Sequence, residues 1–479
     1  MKTRFSMSSR TPTLLAASLL ALGAAGCAVG PAYKRPEVAP AAQFRSQVGA
    51  SEATSLADLP WWQVFNDKAL QSLITEGLSN NYDLKAAIAR IDEASAQVSV
   101  VRADLYPQVN YQAYASRQAT LVPFEPPVNL TYSTFGLGAS AAWELDLWGR
   151  VRHASEAASA NLYAQEDVRR GVMLSLVSAL ASGYFSLLEL DRELAIAQES
   201  ATVYKQTLDL FSQRFQAGRD SKLAVVRAQA NYEASQASIA GLTRAITQQE
   251  NALCVLLGVF PRPIVRGTPL TEESMPATPL GQTTALLERR PDVLQAEQVM
   301  IGANAEIGVA VANYFPRIGL GALFGWEATR PEDLFKNGST VWGLGANLTG
   351  PIFQGGRLQA AYHAQQAFWD ESVAAYRKVV TVAFQETSDA LVAQQTLVGQ
   401  RAALERQVDS LKESVDLSMQ RYDAGRATYF EVLESEQQLF PSKDALAQTQ
   451  RDQLLAVVNL YKALGGGWNL KDSEWMQPR

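Results

Sequence analysis

The chain has 479 residues, of which 47% are hydrophobic and 19% are charged, and its formal net charge is −6 at pH 7. This length suits two or three domains or one elongated architecture, and an acidic balance without a basic stripe argues against nucleic-acid binding. The two histidines, His153 and His363, have no neighbouring ligand set, and the sequence has no Gly-rich phosphate loop or Gly-x-Ser-x-Gly elbow. We therefore expect a protein that is not an enzyme and that has no cofactor or metal site.

The N-terminus has the pattern of a lipoprotein signal. Basic residues precede an apolar run, 13–25, that is too short to span a bilayer, and Cys27 follows small residues. We expect residues 1–26 to be removed and the Cys27 thiol to carry a covalent lipid with several acyl chains, palmitate among them, because one chain anchors weakly. Ala28, in place of Asp, favours sorting to the outer membrane. The alternative is an ordinary signal peptide with an incidental cysteine.

The second half of the chain repeats the first half at a constant offset of 207 residues. The Gly-Leu-Gly-Ala segment 136–139 recurs as 343–346, and the Ala-Gly-Arg segment 217–219 recurs as 424–426. Such an offset indicates a duplicated structural unit, and so two tandem structural repeats. The predicted divisions are a signal peptide (1–26), an extended lipidated segment (27–68), repeat 1 (69–258), a linker (259–280), repeat 2 (281–465) and a C-terminal tail (466–479).

Each repeat is predicted to begin with a helix of about 24 residues, over 83–106 and 291–314, which precedes the strands. Later in repeat 1, apolar residues recur every three or four positions from Met173 to Phe215, which predicts a coiled-coil-like helix. Without an interrupting proline this helix can cover 150–216, roughly 100 Å at 1.5 Å per residue. The helix that follows is shorter, so we infer two short helices stacked end to end beside each long one. The remaining predicted helices are 221–257, 356–424 and 429–464.

Four segments alternate apolar residues with small or polar ones, and they predict strands over 108–118, 133–144, 317–327 and 340–349. The pattern fits the wall of a membrane β-barrel, and a half-buried soluble sheet is the alternative. Four strands cannot close a barrel, so the chain must associate, with two, three or four copies possible on geometry alone. The residues predicted to face lipid are Phe135, Leu137, Trp143, Leu320, Phe324 and Trp342.

Several motifs together resemble the TolC family of outer-membrane efflux channels, and in particular the OprM-like, NodT-type lipoproteins. They are Gly-Pro-Ala-Tyr-Lys-Arg-Pro at 30–36, Trp61-Trp62, Trp-Glu-Leu-Asp-Leu-Trp-Gly-Arg at 143–150, Arg-Arg-Pro-Asp-Val at 289–293 and Tyr-Lys-Ala-Leu-Gly-Gly-Gly-Trp at 461–468. The resemblance implies an α+β membrane protein, a homotrimer whose strands form a barrel of about twelve strands above a periplasmic tunnel of helices. It places the 259–280 linker in the equatorial region. The implied partners are a periplasmic adaptor and an inner-membrane transporter of the resistance-nodulation-division (RND) class.

The resemblance also implies where the channel closes and where the adaptor binds. Phe430, Glu431 and Glu434 match the segment that narrows the periplasmic aperture in the family. Gln437 stands where OprM-like apertures have Arg, and Ala224 and Ala427 replace the Asp and Arg that hold TolC closed, so other contacts must hold this chain shut. The predicted adaptor contacts lie at the tips of the two helical hairpins and are Arg214, Gly218, Arg219, Tyr422, Gly425 and Arg426.

The predicted function is a passive trimeric exit duct for drugs and toxic small molecules in the bacterial outer membrane, reaching into the periplasm. A duct for type I polypeptide secretion is the alternative, because the same architecture serves both. A passive spacer or adhesin is a third possibility and predicts no ion conductance.

Overall fold

The computed structural model describes residues 28–38, 43–45, 55–122, 128–273, 275–276, 278–279, 283–471 and 474–475. The predicted signal peptide and Cys27 therefore lie outside the described residues. In chain order the main elements are helices and strands with these bounds: α1 Lys68–Asn80, α2 Tyr82–Ala103, β1 Gln108–Val122, β2 Val128–Leu145, α3 Arg150–Gln216, α4 Lys222–Leu257, α5 Pro291–Ala312, β3 Arg317–Ala328, β4 Thr340–Thr349, α6 Arg357–Asp423 and α7 Tyr429–Ala463.

The order helix, two strands, two helices occurs twice, from α2 to α4 and from α5 to α7. Strands β1 and β2 extend beyond the predicted 108–118 and 133–144, because residues 119–122 and 128–132 continue the ladder towards the loop. Sequence periodicity did not single out α1, which begins where the Asp67 carboxylate accepts hydrogen bonds from the amides of Ala69 at 2.6 Å and Leu70 at 3.1 Å.

The chain forms two compact units, and neither is a sequence repeat. Unit 1 draws on the described residues within 28–37, 90–166 and 295–376, and unit 2 on the described residues within 38–89, 167–294 and 377–475. Each unit thus contains part of both repeats, and each of the helices α3 and α6 contributes residues to both units. The repeats are therefore units of sequence but not domains with cores of their own.

Unit 1 contains one antiparallel sheet in the order β1-β2-β3-β4. Facing residues across the ladder include Leu137 with Trp326, Trp143 with Leu320 and Phe324 with Trp342. Since facing residues in a sheet lie on the same side, the apolar positions of all four strands form one continuous face. The opposite face carries glycines and polar residues.

The Trp-Glu-Leu-Asp-Leu-Trp-Gly-Arg motif forms the turn from β2 into α3. The Glu144 carboxylate pairs with the Arg150 guanidinium at 2.9 Å, and Asp146 accepts hydrogen bonds from the amides of Val151 and Arg152, each at 3.0 Å. An acidic cap satisfies the unpaired amides at a helix N-terminus. This motif therefore fixes how the long helix leaves the sheet.

Unit 2 contains the largest apolar core, to which α3 contributes most. Leu180, Tyr184 and Leu187 are fully buried, and Leu253 and Leu257 of α4 belong to the same cluster. This core explains why α3 includes a stretch apolar enough to cross a membrane, since 61% of that stretch is buried in the protein. The apolar spacing overestimated the length of the buried seam, because its last predicted member, Phe215, is 42% exposed.

Within unit 2 the short helices abut end to end, as inferred from the helix lengths. At the first junction the Asn81 side chain donates a hydrogen bond to the carbonyl of Leu256 at 2.9 Å. Gly258 lies so close that an added Cβ would be 2.6 Å from the Asn80 carbonyl oxygen. At the equivalent second junction the Arg290 guanidinium donates to the carbonyl of Ala463 at 2.9 Å.

Candidate functional site

The two helical hairpins of unit 2, α3–α4 and α6–α7, end in nearly identical turns. Gly218 and Gly425 have φ angles of 68° and 69°, the left-handed conformation that glycine adopts at helix C-termini. The amide of the following arginine, Arg219 or Arg426, donates to a carbonyl five residues earlier, at 2.8 Å in both turns. Both glycines therefore cap the helices that precede them, and these turns leave both arginines exposed.

Just behind these turns, aromatic side chains join the two hairpins. The Arg214 guanidinium of α3 donates a hydrogen bond to the Tyr422 hydroxyl and lies 5.0 Å from the centre of that ring. The hydroxyls of Tyr429 and Thr207 are 2.6 Å apart, and the ring centres of Tyr429 and Phe211 are 4.8 Å apart in an edge-to-face arrangement. Tyr429 is buried, so it anchors the start of α7 against α3.

The predicted aperture residues are more accessible than Tyr429 in the same helical turns. Phe430 is 57% exposed, Glu434 is exposed, and Glu431 makes a half-exposed ion pair of 3.6 Å with Arg421. Tyr429 therefore packs inside the chain, whereas Phe430, whose ring centre is 6.0 Å from the Arg227 guanidinium, keeps more than half of its surface exposed.

Polar side chains connect α6 to α7 along the second hairpin. Serine, threonine, glutamine and arginine side chains pair across the two helices at distances from 2.9 to 3.3 Å. We call this set the polar zipper, and its pairs are Ser414–Ser435, Gln407–Ser442, Gln400–Thr449 and Arg401–Gln453. These side-chain pairs therefore join α6 and α7 by hydrogen bonds along much of the second hairpin.

Sequence reasoning missed two residues of this region, Tyr429 and Glu436. Both lie on the face of α7 that carries Val432, Leu433 and Phe440, where residues recur every three or four positions and are buried. That spacing was the available signal for Tyr429. An acidic residue at such a position is unexpected, and Glu436 is only 3% exposed. Burial alone raises the pKa of its carboxyl to about 7.

A cavity of about 310 Å³ lies between the two hairpins near their tips. Aromatic and small side chains from both hairpins line it, among them Phe211, Ala224, Tyr429 and Phe430. Ala224 and Ala427 carry no polar side-chain atom, so an ion pair like the Asp–Arg pair that holds TolC closed cannot form there. The hairpins are instead joined by the aromatic contacts and leave space between them.

The six residues predicted to face lipid all lie on the apolar face of the unit 1 sheet. The ring of Trp342 is 73% exposed and that of Phe324 is 54% exposed. Among the residues that the structure describes, no three His, Cys, Asp or Glu side chains are grouped to hold a metal ion. Cys254 is completely buried.

An antiparallel sheet with one apolar face, attached to paired helices far longer than those of ordinary domains, defines a channel-forming protein of the bacterial outer membrane. The family model for outer membrane efflux proteins matches residues 73–259 and 283–466. The chain belongs to this family and is the outer-membrane channel component of an efflux pump. In this family the chains assemble as trimers, whose helices form a helical barrel and whose strands form a β-barrel.

Two relatives show the extent of the similarity. The chain is 34% identical to the solvent efflux pump outer membrane protein SrpC of Pseudomonas putida, over 95% of this chain and 98% of the relative. It is 32% identical to the cation efflux system protein CusC of Escherichia coli K12, over 95% and 100% of the respective chains.

Solved channels share the whole fold. The outer-membrane channel OprN is 29% identical, covers 92% of this chain and all of its own, and superposes with a TM-score of 0.85. The open state of the Neisseria gonorrhoeae MtrE channel is 30% identical, covers 92% of this chain and 99% of its own, and has a TM-score of 0.83.

Proposed function

We propose that this chain forms the passive exit duct of a tripartite pump of the RND class, and that the duct opens at the hairpin tips. The observation that carries the proposal is the contrast between the two sides of α7 near its start. Tyr429 is buried against α3, whereas Phe430, Glu431 and Glu434 are accessible at the same level. In a trimer, three copies of the accessible face can meet at the axis and form an apolar and acidic constriction.

The polar zipper and the cavity support movement of the second hairpin. A side-chain hydrogen bond exchanged for water changes the free energy by only about 1 kcal/mol. The α6–α7 contacts can therefore rearrange at modest cost, and the 310 Å³ cavity leaves space into which side chains can move. The aromatic contacts of Tyr422 and Tyr429 are the ones that hold the closed arrangement.

The tip turns supply the proposed contacts with a periplasmic adaptor. Arg214, Arg219, Tyr422 and Arg426, around Gly218 and Gly425, present guanidinium groups and backbone at the end of each hairpin. Replacing Arg219 and Arg426 with Ala should weaken cross-linking to the adaptor. Replacing Arg406, an exposed arginine within α6, should leave it unchanged.

The N-terminal anchor and the cargo complete the proposal. Cys27 is proposed to carry the lipid, which mass spectrometry of the mature protein tests directly. The cargo is proposed to be small toxic compounds, given that the relatives include solvent and cation efflux components. The protein moves solutes without chemical change, so no catalytic residue and no cofactor are proposed. A deletion strain should become susceptible to such compounds while its secreted proteins remain at normal levels.

Conductance in planar bilayers tests the aperture. Phe430→Ala and Glu434→Ala channels should each conduct better than the wild type, because each removes part of the constriction. Val398→Ala is the matched control, since Val398 is an exposed apolar residue of the same hairpin within α6. Variants that conduct no better than the wild type and the control would contradict the aperture assignment.

A further inference from the structure

The contact surface between α3 and α7 is a row of matched pairs, which we call the α3–α7 seam. Each acid that α3 places in the seam meets a basic or amide partner on α7. From the tip inward the contacts are Thr207–Tyr429 at 2.6 Å, Tyr204–Phe440 with ring centres 5.8 Å apart, Glu199–Lys443 at 2.7 Å, Glu193–Gln448 at 2.7 Å and Glu189–Arg451 at 3.2 Å.

Glu436 breaks this pattern near the tip. Its side chain is 3% exposed, and its Oε2 atom has no hydrogen-bond partner among the residues that the structure describes. The titratable groups that face it are the phenols of Tyr204 on α3 and Tyr429 on its own helix. On its flanks, Ser435 contacts Ser414 of α6, and Gln437 donates to Asn231 of α4, so those elements offer neutral groups.

A buried carboxyl without a basic partner is stable only while it holds its proton, because ionisation without water or a counter-charge is costly. Burial accordingly raises its pKa to about 7, above the ordinary 4.5. The packed seam therefore binds the proton more tightly than a hydrated seam does. The packed seam is therefore most stable, relative to the hydrated seam, below about pH 4.5. Its stability falls as the pH rises towards 7 and does not change further above pH 7.

We propose that Glu436 is a proton-controlled latch between α3 and α7: protonated, it keeps the tip closed, and ionised, it draws water into the seam and releases the start of α7. The inference that opening the seam also opens the channel rests on the proposed function, which places the aperture at Phe430 and Glu434. Both residues lie within two helical turns of Glu436 on α7. A drop in periplasmic pH would thus close the duct, and neutral pH would ease its opening.

One other buried acid on α7 must be separated from this effect. Burial raises the pKa of Asp444 to about 6, and its Oδ1 atom also has no partner among the described residues. Asp444 lies two turns farther from the tip and faces Glu193 and Arg192 of α3. On α3, the pKa of Glu189 is likewise raised to about 7 by burial and by Glu193, but Arg451 pairs with it. Asp444→Asn is therefore the matched control for Glu436→Gln.

The seam is measured directly with spin labels at Thr202→Cys on α3 and Gln438→Cys on α7, both at exposed positions. Between pH 4.5 and 7.5 the population with separated labels should rise at least about tenfold in the wild type, since raising the Glu436 pKa from 4.5 to about 7 alters the seam equilibrium by about a hundredfold or more. Glu436→Gln should remove this rise, and Asp444→Asn should retain it. Glu436→Met, which is also neutral, should behave like Glu436→Gln.

Planar-bilayer conductance over the same pH range links the latch to the aperture. Wild-type conductance should rise with the separated population, and Glu436→Gln should stay at its low-pH level. A label distance that is independent of pH in the wild type, or a pH response that survives in Glu436→Gln, overturns the latch. A seam that opens without a change in conductance leaves the latch standing and instead contradicts the placing of the aperture at Phe430–Glu434.

Discussion

The two hairpins of unit 2 share a backbone plan and differ in what holds them together. In the first, α3 and α4 pack through fully buried apolar residues such as Leu180, Leu187 and Leu253. In the second, the side-chain hydrogen bonds of the polar zipper join α6 and α7 beside apolar residues such as Leu391 and Leu454. The duplication therefore preserved the geometry and changed the chemistry of one copy.

The difference indicates that the first hairpin stays fixed and that the second hairpin can move. Apolar packing is lost in large steps when helices separate, because each buried side chain contributes about 2 kcal/mol or more. Polar pairs exchange for water in steps of about 1 kcal/mol. The second hairpin can therefore change its packing at a cost that contacts with partner proteins can supply.

The sharpest test uses one position in both copies. Leu180 of α3 corresponds to Thr387 of α6, and both are completely buried. Leu180→Ala should lower the stability by about 3 kcal/mol, because it removes an apolar side chain from a packed core. Thr387→Ala should cost about 1 kcal/mol, because its hydroxyl only bonds to the carbonyl of Ala383 in its own helix. Denaturation followed by circular dichroism in mild detergent measures both, and equal losses would remove the contrast.

The helix junctions offer a second comparison. Arg290 is buried and pairs with Asp292 and Glu386, each at 2.7 Å, while it also bonds to Ala463, whereas Asn81 makes the equivalent contact without charge. Arg290→Ala should cost about 2–3 kcal/mol, since two carboxylates lose their partner. Asn81→Ala should cost about 1 kcal/mol. Thermal unfolding midpoints rank the two variants, and Arg290→Lys should recover part of the loss because it restores the charge.

The polar zipper is expected to contribute little to stability and more to closure. Ser435→Ala removes the 2.9 Å contact with Ser414 and should change the unfolding free energy by about 1 kcal/mol or less. Its conductance in planar bilayers should nevertheless rise, because the start of α7 is held less firmly. Ser388→Ala is the control, because the Ser388 hydroxyl bonds to the carbonyl of Phe384 within α6 at 2.8 Å. Equal conductance of the two variants would count against a movable second hairpin.

The smallest effect is expected at the exposed ion pair between Arg421 and Glu431. Its charged atoms are 3.6 Å apart and both side chains are about half exposed. Such pairs contribute about 0.5 kcal/mol, screened by salt. Glu431→Gln should therefore leave the melting midpoint unchanged within error, and any conductance change should vanish at high salt. A large, salt-independent loss of stability would place this pair in the buried structure instead.

Much of the fold could be read from residue patterns. The offset of 207 residues indicated the two repeats, and helix spacing without proline predicted α3 and α6 within one or two residues of their ends. Strand alternation located all four strands and the apolar face. The pattern failed for α1, whose capping by Asp67 was not recognised as a helix start, and for Phe215, which keeps the apolar spacing beyond the point where a neighbour covers it.

The site was less predictable because its residues depend on what faces them. Phe430 and Glu434 were identified through a family resemblance, and the structure places them on an accessible face. Tyr429 and Glu436 differ from those two in that they lie on the buried side of α7. Which side of α7 is buried depends on the helix that packs against it, and the sequence alone does not identify that helix. The acid at position 436 also contradicts the apolar period, so the pattern alone gave no reason to place it inside.

The amino-acid sequence by itself determined the duplicated plan, the lengths of the helices and the two-sided strands, because periodicity and glycine or proline positions act within a few residues along the chain. Only the tertiary structure decided which side of α7 is covered and that a neutral amide and a charged arginine make equivalent contacts at the two helix junctions. It also decided that the Glu436 carboxyl is buried without a basic partner among the described residues. These features depend on the distance between groups more than two hundred residues apart in sequence, such as Thr207 and Tyr429, and local propensity does not encode such distances.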